Sequence, residues 1–152
     1  MKEQTSRRRL IAGIATASLG GCLSLDAESN GSFLPQPLIN NRDTEPHTVD
    51  FRVTWEGEQK LDRSYTISAD DRTDNKIPGA LPEKTWPDEM GQFTASARLS
   101  GGQWKTIDPG EYGYPDCFSV KAQITPAGTL AMLFTRNENL CPNLTDTARS
   151  VE

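Results

Sequence analysis

Histidine and cysteine, two side chains that often carry catalysis or bind transition metals, are scarce in this chain of 152 residues. The single histidine, His47, follows Pro46 at the edge of a predicted turn, so we interpret it as a turn histidine in contact with nearby backbone. A blue-copper site needs two histidines and a cysteine thiolate. Ser-His-Asp catalysis would need His47 beside a nucleophilic serine, and no G-x-S-x-G motif is present. We therefore predict no catalytic residue, no cofactor and a protein that is not an enzyme.

Carboxylates are abundant, with 21 Asp and Glu, and they leave two alternatives open. Residues 70–75 could offer several oxygens to Ca²⁺, but they lack the D-x-D-x-D-G order and a distal glutamate, and Arg72 lies among them. We interpret this segment as a solvated acidic loop and predict no metal site. Paired carboxylates could also hydrolyse a glycosidic bond, so a small carboxylate-dependent hydrolase stays as one alternative function.

The N-terminal segment has the order of an export signal. Lys2 and three arginines at positions 7–9 precede an apolar run from Leu10 to Leu19. The run of about a dozen residues is shorter than the roughly 20 that a membrane-spanning helix needs. The pattern therefore predicts a signal peptide over residues 1–21.

Two motifs within this segment resemble known export signals. Arg7 and Arg8 resemble the twin-arginine motif, which directs folded proteins to export. The sequence Leu19-Gly20-Gly21-Cys22 resembles a lipobox, in which the cysteine receives a diacylglyceryl or archaeal diether lipid and becomes the first residue. Together they resemble the leader of haloarchaeal surface lipoproteins. The resemblance implies lipidation at Cys22, the membrane as a partner through that anchor, and a location on the extracytoplasmic face, with two chains giving firm attachment.

The remainder of the chain is acidic. Residues 22–152 contain 12 Lys and Arg and 20 Asp and Glu, a net charge of −8. Such a surface stays hydrated when salt screens it, which fits a halophilic protein. It lacks a basic patch, so we predict no binding to nucleic acid.

Cys117 and Cys141 form an even pair once Cys22 is assigned to lipid. An exported domain meets oxidising surroundings, which favours a disulfide between them, with two free thiols as the alternative. Two Asn-x-Ser/Thr sequons, at Asn30 and Asn143, are candidate glycosylation sites.

Apolar residues downstream of the leader alternate with polar ones, which is the period of a β-strand. In residues 49–55 this alternation places Val49, Phe51, Val53 and Trp55 on one buried face. Further strands are predicted over 61–68, 93–99, 104–107, 117–124 and 129–135. Turn residues recur every 8–12 positions and no long amphipathic helix is indicated. The pattern predicts an all-β fold, an antiparallel β-sandwich of six to seven short strands, with a small barrel as the alternative.

Two segments strengthen the sandwich interpretation by resemblance. Residues 40–49 resemble the opening of immunoglobulin-like domains in haloarchaeal surface proteins, and residues 108–112 are similar to the turn with tyrosine that precedes a late strand in such domains. The resemblance implies an immunoglobulin-like sandwich. The expected organisation is a signal peptide over 1–21, lipidated cysteine and flexible tether over 22–36, the sandwich over 37–141 and a polar tail over 142–152.

Aromatic side chains offer the remaining candidate binding group. Trp55 and Trp104 share predicted strands with apolar residues, so we expect both in the core, whereas Trp86 in the proline-rich loop is a candidate binding residue with edge packing as its alternative. The sequence predicts a non-enzymatic, lipid-anchored surface module for binding or structural support. The alternative is an accessory lipoprotein that binds a solute or polysaccharide through residues 70–91. Other envelope proteins are further expected partners.

Overall fold

The computed structural model describes residues 31–141. Eight strands follow one another along this part of the chain: β1 Leu38–Asn41, β2 His47–Trp55, β3 Glu58–Ile67, β4 Gly79–Ala80, β5 Phe93–Leu99, β6 Lys105–Ile107, β7 Ser119–Ile124 and β8 Leu130–Thr135. The predictions for Arg7, Arg8, Leu19, Gly20, Gly21 and Cys22, for both sequons at Asn30 and Asn143, and for the tail at 142–152 lie outside these residues.

The strands form two four-stranded sheets that pack face to face. One sheet has the order β3-β2-β5-β6 and is antiparallel throughout. The other has the order β4-β1-β7-β8, in which β1 and β7 run parallel. The all-β sandwich is therefore confirmed. The expected strand number was too low, the sheets are not purely antiparallel, and they do not close into the barrel that was the alternative.

The core lies between the two sheets, where the alternating apolar residues of the sequence meet. Val49, Phe51 and Val53 of β2 are fully buried, as predicted from their period of two. They pack in one cluster with the alanines of β5, with the apolar side chains of β7, and with Phe118, which directly precedes β7. The ring of Trp55 stacks on that of Phe93 with centroids 5.7 Å apart, so the prediction that Trp55 is a core residue is confirmed.

The N-terminal boundary of the domain differs from the expected one. Ser32 bridges to Gly91, and Phe33 pairs in parallel with Cys117. Ser32, Phe33 and Leu34 are all buried. The prediction of a flexible tether as far as residue 36 is therefore wrong for these residues, because their side chains fill the end of the sandwich rather than facing water.

A buried asparagine at the end of β1 fixes two loops to the sandwich. The side-chain amide of Asn41 donates to the carbonyls of Glu45 at 2.7 Å and Ser68 at 3.0 Å, while its Oδ1 accepts from the backbone N–H of Asp43 at 2.9 Å. Asn41 is completely buried, and all its side-chain hydrogen-bonding atoms have partners. It therefore determines how residues 42–46 and the chain beyond β3 lie against each other.

Among residues 31–141, no helix is both long and apolar enough to cross a membrane. The only helical turns described there are two short 3-10 helices, Pro109–Tyr112 and Glu138–Leu140.

Candidate functional site

The two cysteines expected to pair do form a disulfide. Cys117 and Cys141 are joined with their Cα atoms 5.9 Å apart, across a separation of 24 residues. Both are buried with Phe33, and Met90 packs against this small second cluster. The disulfide therefore ties the last described residue to the segment by which the chain enters the domain.

Trp86 is not available on the surface for binding. It is 4% exposed, packs in the main core, and donates from Nε1 to the carbonyl of Leu34 at 2.8 Å. The candidate binding role is therefore wrong, and the alternative, packing at the edge of the sandwich, describes its position. Its indole N–H is therefore bonded to the segment at residues 33–34, which also packs against the disulfide.

Trp104 lies on the outer face of the sheet, not in the core as expected. The guanidinium carbons of Arg52 and Arg98 lie 4.0 and 4.6 Å from its ring centroid. Arg98 also donates to Asp50 at 2.8 Å. Hydrogen bonds from Ser64 and then from Arg98 lower the pKa of Asp50. On this face the two guanidinium groups therefore contact Trp104, and Arg98 also pairs with Asp50, all within the domain.

His47 pairs with a carboxylate and not with backbone alone. Its Nε2 lies 2.6 Å from Oδ2 of Asp43, and both side chains are largely enclosed. The hydrogen bond from His47 is the main cause that lowers the pKa of Asp43. The pair therefore links the loop that contains Asp43 to the first residue of β2.

The acidic loop uses its carboxylates to satisfy its own backbone. Oδ1 of Asp70, Asp71 and Asp74 each accepts a hydrogen bond from the N–H two residues later. Such caps let the backbone turn tightly, and Arg72 takes a positive φ of 57°. Within the described part of the chain no group of three or more His, Cys, Asp or Glu is placed to hold a metal ion.

A polar depression lies beside this loop. It has a volume of about 330 Å³ and is lined mainly by charged and polar side chains, among them those of Arg42, Asp70, Arg72, Asp74 and Lys76. Three cations face two carboxylates, both of which already accept backbone hydrogen bonds. The depression therefore brings polar groups of the loop at residues 70–77 together with Arg42, where a solute could contact them.

An apolar groove lies on the sheet formed by β4, β1, β7 and β8. It has a volume of about 590 Å³ on the outer side of β1, β7 and β8. Three of its leucines expose more than a third of their surface: Leu38, Leu133 and Leu140. An apolar face of this kind on a chain with net charge −5 is the second candidate contact surface.

Comparisons with protein-family models, with curated proteins and with solved structures find no match for this chain.

Proposed function

We propose that this chain is a lipid-anchored, non-enzymatic module on the extracytoplasmic face of the membrane, where its β-sandwich binds or supports other envelope components. The buried disulfide is the observation that carries the proposal. A disulfide of this kind persists in oxidising surroundings outside the cytoplasm, which is where the leader motif ending at Cys22 would deliver the domain. The leader and its resemblance to haloarchaeal surface lipoproteins belong to the same proposal.

The position of the disulfide suits an anchored domain. It lies against Phe33, close to where the chain enters the sandwich. Nine residues separate Cys22 from Ser32, the first paired residue of the described part of the chain. Even fully extended, that length spans about 30 Å, so a lipid at Cys22 would hold the sandwich near the bilayer surface.

Replacement of the anchoring cysteine tests the proposal. We expect Cys22→Ser to move the protein from the membrane fraction to the medium, because no acyl chain would then be attached. The matched control replaces the other two cysteines, Cys117→Ser with Cys141→Ser, and should remain in the membrane fraction. Retention of the Cys22→Ser protein in the membrane would contradict lipid anchoring.

A second candidate function is binding of a solute or polysaccharide at the polar depression. It is favoured by the three cationic side chains that line the depression, which suit a carboxylated saccharide. Arg72→Gly removes one cation, and glycine readily adopts the positive φ at this position. Titration with a uronic-acid oligosaccharide should show binding that Arg72→Gly weakens and that Arg63→Ala, a control on exposed β3, leaves unchanged. Equal binding by all three proteins would exclude this site.

A further inference from the structure

One of the four edge strands of the sandwich lacks the features that protect an edge from pairing. The edges are β3, β4, β6 and β8. Strand β4 has two residues and β6 has three, and β3 carries several charges along its ten residues. Strand β8 has the six-residue sequence LAMLFT, without charge, proline or glycine. Natural proteins protect exposed edges with short strands and charges, so the unprotected edge at β8 indicates a place for strand pairing.

The backbone of β8 presents a regular row of hydrogen-bonding groups toward the open edge. The N–H of Thr125 donates to the carbonyl of Thr129, so these residues form a hydrogen-bonded pair at the start of the β7–β8 hairpin. Pairs alternate along an antiparallel ladder. The N–H and C=O of Leu130, Met132 and Phe134 therefore point away from β7 toward the open edge. The carbonyl of Leu130 already accepts from Lys105 Nζ, which agrees with this direction and leaves its second lone pair for a partner strand.

Apolar side chains accompany this row of backbone groups. Met132 and Phe134 are partly exposed although they face the core side, because the sandwich is open beside β8. Tyr112 lies against Phe134 with ring centroids 4.3 Å apart and is itself 39% exposed. On the outer face Leu133 is 40% exposed in the apolar groove. A strand added at this edge would bury apolar surface on both faces as well as form main-chain hydrogen bonds.

We propose that the strand that pairs with β8 is β8 of a second copy of this chain, in antiparallel orientation about a two-fold axis at Met132. Residues whose backbone groups both point outward form the hydrogen-bonded pairs of such a ladder. Met132 then faces Met132 of the other copy, and Leu130 faces Phe134. An isologous contact of this kind closes into a dimer and leaves no open β8 edge.

The same register brings opposite charges together at both ends of the strand. Arg136, which follows β8, is exposed with its guanidinium carbon 5.9 Å from the ring centroids of Tyr112 and Phe134, and it falls opposite Gly128 of the other copy. A Cβ at Gly128 would lie 3.1 Å from Oδ2 of Asp43, so the Asp43 carboxylate is beside that position. Each Arg136 thus approaches one Asp43 carboxylate of the other copy, and Leu133 comes beside Ala131. This complementarity within an acidic protein favours a second copy as the occupant.

Cross-linking in the full-length anchored protein tests the register directly. Cα atoms in a hydrogen-bonded antiparallel pair are about 5.5 Å apart, within the range of a disulfide. Met132→Cys should therefore form a covalent dimer under mild oxidation. Thr135→Cys is the control on the same strand: in this register its two copies lie about 20 Å apart, and less than about a tenth as much dimer should form.

A proline at the same position tests the contribution of the free edge. Met132→Pro removes an N–H that points outward, so the hydrogen bonds between β7 and β8 remain. After extraction in detergent, light scattering should show a dimer for the wild-type protein and a monomer, with half that molar mass, for Met132→Pro. A monomeric wild type, equal cross-linking at 132 and 135, or a cross-link from Cys at 132 only to a different protein would each overturn the proposal. The cross-linking experiment uses only the cysteine variants, so its result does not depend on whether the proline variant folds.

Discussion

Asn41 should contribute more to the stability of the sandwich than any other polar side chain in its core. Its two amide hydrogens and its carbonyl oxygen bind three backbone groups of the two loops, which are also joined by the bond from Asp70 N–H to the Asp43 carbonyl. A typical hydrogen bond contributes about 1 kcal/mol net, and loss of one partner also leaves the other group without a bond. Asn41→Ala should therefore lower the free energy of unfolding by about 3 kcal/mol, a large part of the roughly 5–15 kcal/mol of a domain.

The neighbouring residue provides a matched control. Asn40 is also buried, at 6% exposed, but its Oδ1 has no hydrogen-bond partner among the described residues. Asn40→Ala removes the same number of atoms without breaking a bond at that oxygen, so we expect a loss of about 1 kcal/mol or less. The two variants therefore separate the effect of the hydrogen bonds from the effect of truncation.

Urea unfolding at constant salt, followed by tryptophan fluorescence, measures both free energies. Hydrogen exchange should show lost protection at Asp43 and Asp70, whose N–H groups are bonded in the loops that Asn41 joins. Equal losses for Asn41→Ala and Asn40→Ala would refute the reasoning, because the bonds of Asn41 would then contribute nothing beyond its volume.

Three other predictions follow from the same structure. Replacement of Cys117 and Cys141 by alanine should lower the free energy of unfolding by about 3 kcal/mol, since a loop of 24 residues is no longer closed; an unchanged urea midpoint would contradict this. Trp86→Phe should cost about 1–2 kcal/mol in the same assay through its lost hydrogen bond, and Trp104→Phe less than about 1 kcal/mol; the reverse order would show that the core assignment is wrong. The pKa of Asp50 is lowered in the folded protein, so its contribution is complete above about pH 4 and is lost as the pH falls through that lowered value. Asp50→Asn should flatten the stability profile below about pH 4, and an unchanged slope would argue against the ion pair.

The parts of the fold that were predictable are those specified by local alternation. Strand β5 begins and ends at the predicted residues, because its apolar side chains, which face the core, alternate with polar ones on the other face. The parallel pairing of β1 with β7 was not predictable, since β1 has four residues and its partner lies about 80 residues away. The two residues of β4 carry no period at all.

The candidate site was only partly predictable, for similar reasons. The disulfide followed from an even pair of cysteines in an exported domain. The outward position of Trp104 could have been predicted from its spacing to Ile107. Trp104 directly precedes β6 and lies three residues before the buried Ile107, and in an extended chain an odd separation places two side chains on opposite faces. The burial of Trp86 depends on Leu34, 52 residues earlier in the chain, and no local signal indicates that contact.

The free edge of β8 could be recognised only from the sheet order. The sequence of the strand is apolar whether it lies at the centre of a sheet or at its end. The structure places it at the end, next to a hairpin turn that sets which backbone groups face outward.

Intact mass spectrometry of the protein extracted from the cell membrane tests the proposed function most directly. We expect a polypeptide that begins at Cys22, carries the mass of a lipid on that residue, and is two hydrogens lighter than the reduced chain because Cys117 and Cys141 are joined. Recovery of the chain from the cytosol with Met1 in place and three free thiols would contradict the anchored, exported module.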